Sequence, residues 1–165
     1  MKVKDSLLGD FLVSILIEDE VGGDWWFCGV YGPPRRENRK NLWDELVGLR
    51  ELCGNRWCVG GDFNIVRRVS EKFNSSTNTR SMKEFDSLIR EMDLVDLSLC
   101  NASFTWTNFR VVPICCRLDR YLFSNNWAAG FEFCRQEAEA MMVSDHSPVI
   151  LDICPPKWAL APFLF

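Results

Sequence analysis

The chain has 165 residues and 19.1 kDa, which is one domain's worth, and a chain of this length buries roughly 70% of its unfolded surface. Its 13% aromatic content, with seven Trp and twelve Phe, excludes intrinsic disorder, and the absence of any repeating period excludes collagen and coiled coils. The net charge of −4, from 19 basic and 23 acidic residues, excludes a generally cationic coat, so a DNA or RNA partner would be met locally or through a metal ion.

The first apolar run, at 11–17, lies between Asp10 and Glu18. It is too short to span a membrane and too acidic upstream for a secretory leader. No membrane partner is expected, and an intracellular protein with reduced thiols is. The eight Cys form no C-x-x-C pair and the chain holds one His, so no zinc site is expected. Most of the Cys sit among apolar neighbours and read as small buried hydrophobes.

In chain order, the opening residues enter a strand pattern almost at once. Strands at 11–17 and 25–31 flank Val21-Gly22-Gly23-Asp24 and read as a hairpin that Pro33-Pro34 ends. Leu42, Trp43, Leu46, Leu49 and Leu52 recur at helical spacing over 37–53, and Gly54-Asn55 supplies the stop. A short buried strand follows at 57–61, then a polar loop over 70–80. Phe85, Leu88, Ile89 and Met92 share one face of a second helix over 81–92. Strand-like pieces follow at 103–107, 117–123, 131–138 and 149–154. Most late connections are too short for crossover helices, which favours a mixed or antiparallel α/β sandwich over a doubly wound parallel sheet. The apolar tail 155–165 has no polar cap and reads as cut, which leaves 1–154 as the domain.

Charge is uneven along the chain. Residues 31–80 carry ten bases and six acids, including Arg35, Arg36, Arg39, Lys40, Arg67 and Arg68. That stretch either faces a polyanion or is an ordinary solvated surface.

Three segments can carry chemistry. Gly60-Gly61-Asp62-Phe63-Asn64 follows an apolar strand directly. Its glycines allow a sharp turn, and Asp62 and Asn64, two apart on an extended chain, would point to one side. The pair suits a site where one group binds a metal or orients water and the other holds a phosphate oxygen; a capped turn is the plain alternative. Ser144-Asp145-His146-Ser147 places the sole His beside an Asp at the mouth of a strand. In Arg117-Leu118-Asp119-Arg120, an acid alternates with apolar residues on a strand. Such an acid is costly unless it is paired or metal-bound, and the plain alternatives are a salt bridge with Arg117 or Arg120 or exposure on an edge strand. Oxygen-rich groups without a thiolate pair suit a hard ion, Mg²⁺ or Mn²⁺, and its use in metal-assisted phosphoester hydrolysis.

The order of motifs is itself informative. Tyr31 in Val30-Tyr31-Gly32-Pro33, GDFN at 61–64, Ser103-Phe104-Thr105-Trp106-Thr107-Asn108, Arg117-Leu118-Asp119 and Ser144-Asp145-His146 together resemble the endonuclease/exonuclease/phosphatase family. This is the fold of DNase I and the exonuclease III-type abasic endonucleases. The stretches GVYGPP, WCVGGDFNIVR, SFTWTN and CRLDRYLFS resemble the endonuclease domain of plant LINE-type non-LTR retrotransposon polyproteins. The resemblance covers nearly the whole chain and implies a four-layer α/β sandwich, two sheets face to face with helices outside.

The resemblance also implies roles. Asp62 would orient or deprotonate the attacking water and share in metal binding. Asn64 would hold a phosphate oxygen, and Asp145 would bind the metal or order the site. His146 would stabilise the scissile phosphate, with Asp119 orienting its ring. Tyr31 would place its hydroxyl near the phosphate. Trp106 would wall the site and contact DNA; Arg67 and Arg68, from the basic stretch, are the further substrate-binding candidates. The implied cofactor is Mg²⁺ or Mn²⁺, and the implied partner is DNA, met in the nucleus. The family normally begins with a strand carrying an Asn and a strand ending in a metal-binding Glu; nothing between Met1 and Gly29 matches them. About a third of the family domain is therefore expected to be missing, with an apolar face and an unpaired edge left behind and activity impaired. The alternatives are a non-catalytic retroelement remnant, a nucleic-acid-binding module and a phosphatase of a small phosphoester.

Overall fold

A computed structural model describes residues 2–19, 23–131 and 133–154. The apolar tail, and the first half of the turn expected at 21–24, lie outside the described residues. The chain opens with an antiparallel meander of β1 (Lys2–Leu8), β2 (Leu12–Glu18) and β3 (Trp25–Tyr31). A single 3₁₀ turn leads into helix α1 (Arg39–Cys53), which ends where Gly54 takes a positive φ of 64°. This helix is the crossover that lets β4 (Trp57–Asp62) lie parallel to β3.

Beyond β4, the segment expected as plain loop carries a 3₁₀ turn at 69–71 and the two-residue strand β5 (Lys72–Phe73). Helix α2 (Arg80–Glu91) begins at Thr79, whose side chain accepts the Met82 N–H at 3.3 Å. Then come β6 (Leu94–Asp96), β7 (Trp106–Thr107), β8 (Cys115–Cys116), β9 (Asp119–Ser124), the short helix α3 (Asn125–Ala128), β10 (Arg135–Ala138) and β11 (Val149–Asp152). Of the strand expected at 103–107 only the last two residues are in strand, and that at 117–123 begins two residues later.

A six-stranded mixed sheet of order β1-β2-β3-β4-β9-β6 is the centre of the molecule. Helices α1 and α2 cover one face. There Leu42, Leu46, Val59, Phe85 and Leu122 are buried together, and Trp43 stacks on Phe85 with ring centroids 5.2 Å apart. On the other face, Trp25, Cys58, Phe123 and Trp127 form a second core that Leu151 and Ile153 join from the β10–β11 hairpin. The result is an α/β sandwich: helices, a mixed sheet, and a second sheet against its far face. A three-stranded sheet, β5-β8-β7, flanks it. Of the eight Cys, 28, 53, 58 and 116 are buried, while 100 and 154 are exposed.

Two polar devices tie the layers. Gln136 is fully buried. Its Oε1 accepts the Tyr121 N–H at 3.0 Å, and its Nε2 donates to the Tyr121 carbonyl at 2.8 Å, just where β6 no longer runs beside β9. The other device is a buried charge network. Arg120, completely buried, meets Glu71 at 2.7 Å and Asp96 at 2.9 Å and lies over the Phe85 ring. Arg117 reaches Asp96 at 3.0 Å, and Arg67 bridges Asp86 at 2.6 Å and Asp96 at 3.3 Å.

Asp96 takes three of these contacts with a side chain only 3% exposed. Removing one partner from a buried ionic cluster leaves its neighbours uncompensated, so Asp96→Ala is expected to lower stability by about 3–5 kcal/mol. Arg68→Ala, at a side chain 63% exposed, is expected to change it by less than about 0.5 kcal/mol. Urea unfolding of the two variants beside the parent checks the contrast.

Candidate active site

The site forms where β3, β4 and β9 end. Asp62, the last residue of β4, stands opposite Asp119, the first of β9, in the antiparallel ladder, and opposite Tyr31 in the parallel one. Close backbone approach makes this possible. Gly61 has φ +142°, and a Cβ there would run into the Val30 carbonyl. A Cβ on Gly32 would likewise meet the backbone of Phe63, while the Gly32 N–H donates to the Asp62 carbonyl at 2.6 Å.

Asn64 departs from the extended geometry expected for it. The chain turns, and Asn64 takes φ 53°, a region Asn tolerates better than most residues. Its N–H donates to Asp62 Oδ1 at 2.8 Å, and its Nδ2 donates to the Gly32 carbonyl at 2.8 Å. Arg39 holds the Asn64 carbonyl at 3.0 Å. The turn is thus both a capped turn and a fixed presentation of two polar groups.

The segment at 105–107 carries the rest. Trp106 forms a bridge to His146, the Thr107 N–H donates to the Asp145 carbonyl at 3.1 Å, and Trp106 Nε1 donates to Asp145 Oδ2 at 2.8 Å. His146 Nδ1 lies 2.8 Å from Asp119 Oδ2. One ligand atom each from Asp62, Asp119 and His146 lie within 4.8 Å of one another. Asp119 pairs with this ring and not with Arg117 or Arg120, the partners that local sequence offered.

The electrostatics follow from this crowding. Burial pushes the Asp62 carboxyl above its usual range. The Asn64 N–H counters it, the Asp119 charge adds to it, His146 counters it and Asp145 adds to it. Burial alone would depress the His146 ring, but the hydrogen bond and charge of Asp119, with Asp62 and Asp145 behind it, raise it above the ordinary imidazole value. A site with three carboxylates around one imidazole favours a positive charge at its centre, whether a proton or a metal ion.

Sequence comparison fits this picture. The model of the Endonuclease/Exonuclease/phosphatase family matches residues 3–146. The chain belongs to the endonuclease/exonuclease/phosphatase family. Solved structures with the same fold include the endonuclease domain of TRAS1, a telomere-specific non-LTR retrotransposon, at TM-score 0.70 and 15% identity over 90% of this chain. The 3′ phosphatase NExo from Neisseria, bound to a product DNA hairpin, is similar at TM-score 0.72 and 16% identity over 93% of this chain. A family protein from Bacteroides thetaiotaomicron is similar at TM-score 0.55 and 15% identity over 84%. This chain spans 66%, 72% and 53% of those three chains respectively. No curated protein matches it by sequence.

Against this family frame, the structure brings Asp62, Asn64, Tyr31, Asp119, Asp145, His146 and Trp106 to one end of the sheet. Tyr31 is 67% exposed there. Arg67 is elsewhere engaged, its side chain 11% exposed and ion-paired to Asp86 and Asp96, whereas Arg68 remains exposed. Thr105, which the sequence offers only as a member of the motif at 103–108, is completely buried, and its Oγ1 accepts the N–H groups of Leu118 and Asp119, each at 3.0 Å. The one available signal was a hydroxyl residue between Phe104 and Trp106, both large and aromatic. No helix of the described residues is long and apolar enough to cross a membrane.

His146 is the only His, so its ring protons give a resolved NMR titration. The midpoint is expected above the usual imidazole value of about 6.5, and Asp119→Asn is expected to lower it. Because the folded value is raised, the ring's contribution to stability is complete below about pH 6.5 and lost as pH climbs through the folded value. Denaturation across that window is expected to show a shallower pH slope in Asp119→Asn. An unchanged midpoint in the variant would contradict the pairing.

Proposed function

We propose that this protein hydrolyses phosphodiester bonds of DNA, as an endonuclease, with the help of a divalent metal ion. The observation that carries the reading is the 2.8 Å contact between His146 Nδ1 and Asp119, made beside Asp62 at an open sheet end. A carboxylate on Nδ1 fixes the ring orientation and leaves Nε2 as the nitrogen that meets the substrate. The charged ring then donates to a phosphate oxygen and stabilises the charge that develops there.

The other groups divide the remaining work. Asp62, its carboxyl raised by burial and by its acidic neighbours, is suited to accept a proton from water. Asn64 Nδ2 carries two hydrogens; one goes to Gly32, and the second is available to a phosphate oxygen. The Tyr31 hydroxyl stands at the same sheet end. Trp106 holds Asp145 through its indole N–H, which fixes the carboxylate direction and lines the wall along which DNA passes.

The donor set fits a hard cation. Asp62, whose carboxylate lies in a ligand-sized cluster with Asp119 and His146, would hold Mg²⁺ or Mn²⁺ with the Asp145 charge nearby and water completing the shell, and the ion would supply positive charge to the phosphate. A cation would also offset the Asp119 and Asp145 charges, which add to the effect of burial on the Asp62 carboxyl. With so few protein carboxylates, binding is expected to be weak and the rate to stay below saturation at low metal concentration.

DNA is favoured over a small phosphoester by the resemblance to retrotransposon endonuclease domains. Among proteins of this fold, one is described as a retrotransposon endonuclease domain and another was solved with a DNA hairpin product. Exposed Arg68 suits contact with the DNA backbone.

Conversion of supercoiled plasmid to nicked circles tests this. Nicking is expected only with Mg²⁺ or Mn²⁺, is lost in Asp145→Ala, and falls by about 10²–10⁴-fold in His146→Ala. Equal nicking by the parent and by Asp145→Ala, or none by the parent, would overturn the proposal.

A further inference from the structure

The geometry points to Thr105 as a positioning residue that holds Asp119 in line with His146. The inference rests on the reading of the site given above. Thr105 is completely buried, and each of its polar groups but one hydroxyl hydrogen has a named partner. Its N–H donates to the Cys116 carbonyl at 2.9 Å, and its carbonyl accepts the Ser147 N–H at 2.7 Å. Its Oγ1 accepts two successive N–H groups, Leu118 and Asp119, both at 3.0 Å.

That last arrangement is unusual within a sheet. In a regular strand, successive N–H groups point to opposite sides. Here two converge on one oxygen, so the chain is turned at Leu118–Asp119 just before β9 begins, much as backbone nests turn around an anion. The turn sets the direction in which the Asp119 side chain leaves the backbone. On the far side, the same residue tethers Ser147, the immediate neighbour of His146. Both halves of the 2.8 Å pair are thus referred to one residue, Asp119 through the hydroxyl and His146 through the main chain.

No side chain without an oxygen at this position can do the same. In Thr105→Val, shape is kept, but the two partly buried N–H groups of Leu118 and Asp119 lose their acceptor, which favours relaxation of the turn. Asp119 then swings from the ring, while the Ser147 tether and the apolar packing stay. Thr105→Ser keeps the oxygen and loses only a methyl group.

The test uses the full chain labelled with ¹⁵N-histidine, read at a pH where the ring is neutral. The side-chain nitrogen shifts of the sole His report which nitrogen carries the proton. The parent is expected to be chiefly the Nδ1–H tautomer, held by Asp119. Thr105→Val is expected to shift toward Nε2–H while its circular dichroism melt remains cooperative, and Thr105→Ser to keep the parent's tautomer. Plasmid nicking is expected to fall about 10–100-fold in Thr105→Val and to recover in Thr105→Ser. Should Val prevent folding, Thr105→Ala removes the same oxygen without filling its space and makes the same comparison. A folded Val or Ala variant that keeps the Nδ1–H tautomer overturns the proposal, as does a folded Thr105→Ser that loses it. If the parent nicks no DNA, the functional reading fails, and the tautomer comparison still decides the role of Thr105.

Discussion

Everything at the sheet end depends on one register: β4 and β9 run antiparallel with Asp62 facing Asp119. Two carboxylates placed across a ladder repel, and a one-residue slip of either strand would turn its carboxylate to the wrong side of the sheet. The register is kept by groups that act on the backbone. Gly60 gives up its side chain to the Tyr121 ring, and Gly61 gives up its own to the Val30 carbonyl. The repulsion is then offset locally, by the Asn64 N–H on Asp62 and by the imidazole on Asp119. A fold that tolerates two acids so close has arranged for positive charge between them.

The buried ionic cluster under β9 solves a different problem. Arg120 is the next residue after Asp119 and turns to the opposite face of the strand, toward α2. There it would be an uncompensated charge, were Glu71 and Asp96 not on either side of its guanidinium. Glu71 also accepts the Arg67 N–H at 2.6 Å, so the loop after β4 is pinned to the same cluster. The strand therefore carries an acid toward the site and a base toward the interior. The two faces are held by separate sets of partners, and a change in one need not disturb the other.

How much of this was legible beforehand depends on the range of the contacts. The helices at 39–53 and 80–91 and the strand at 57–62 showed themselves through local periodicity, and their bounds differ from expectation by a residue or two. The two- and three-residue strands at 72–73 and 94–96 carry no such pattern, because pairing with β8 and β9 makes them strands. The site residues Asp62, Asn64, Asp119, Asp145 and His146 were legible as motifs, but the pairing of Asp119 with His146 was implied only by the family resemblance and not by the residues around them. Local sequence offered Arg117 and Arg120 to Asp119, whereas the fold gives it a ring 27 residues away. Arg67 looked like an exposed cation beside Arg68, and only the positions of Asp86 and Asp96 decide otherwise. The role of Thr105, quoted only as part of a motif, was hidden for the same reason: its partners are created by the turn it stabilises.

Gln136 carries a consequence of its own. A strand that stops short normally leaves its neighbour with an N–H and a carbonyl facing nothing. At Tyr121, one side chain supplies both an acceptor and a donor, in the planar arrangement of a peptide group, and so stands in for the missing strand residue. Among the standard side chains, only Asn and Gln are built that way. Because the substitute comes from β10, the chain can leave the central sheet early and still close its hydrogen bonds from the opposite layer. The two sheets are therefore joined by what is chemically a borrowed peptide bond, a directional link that fixes their relative alignment where apolar packing alone would allow them to slide.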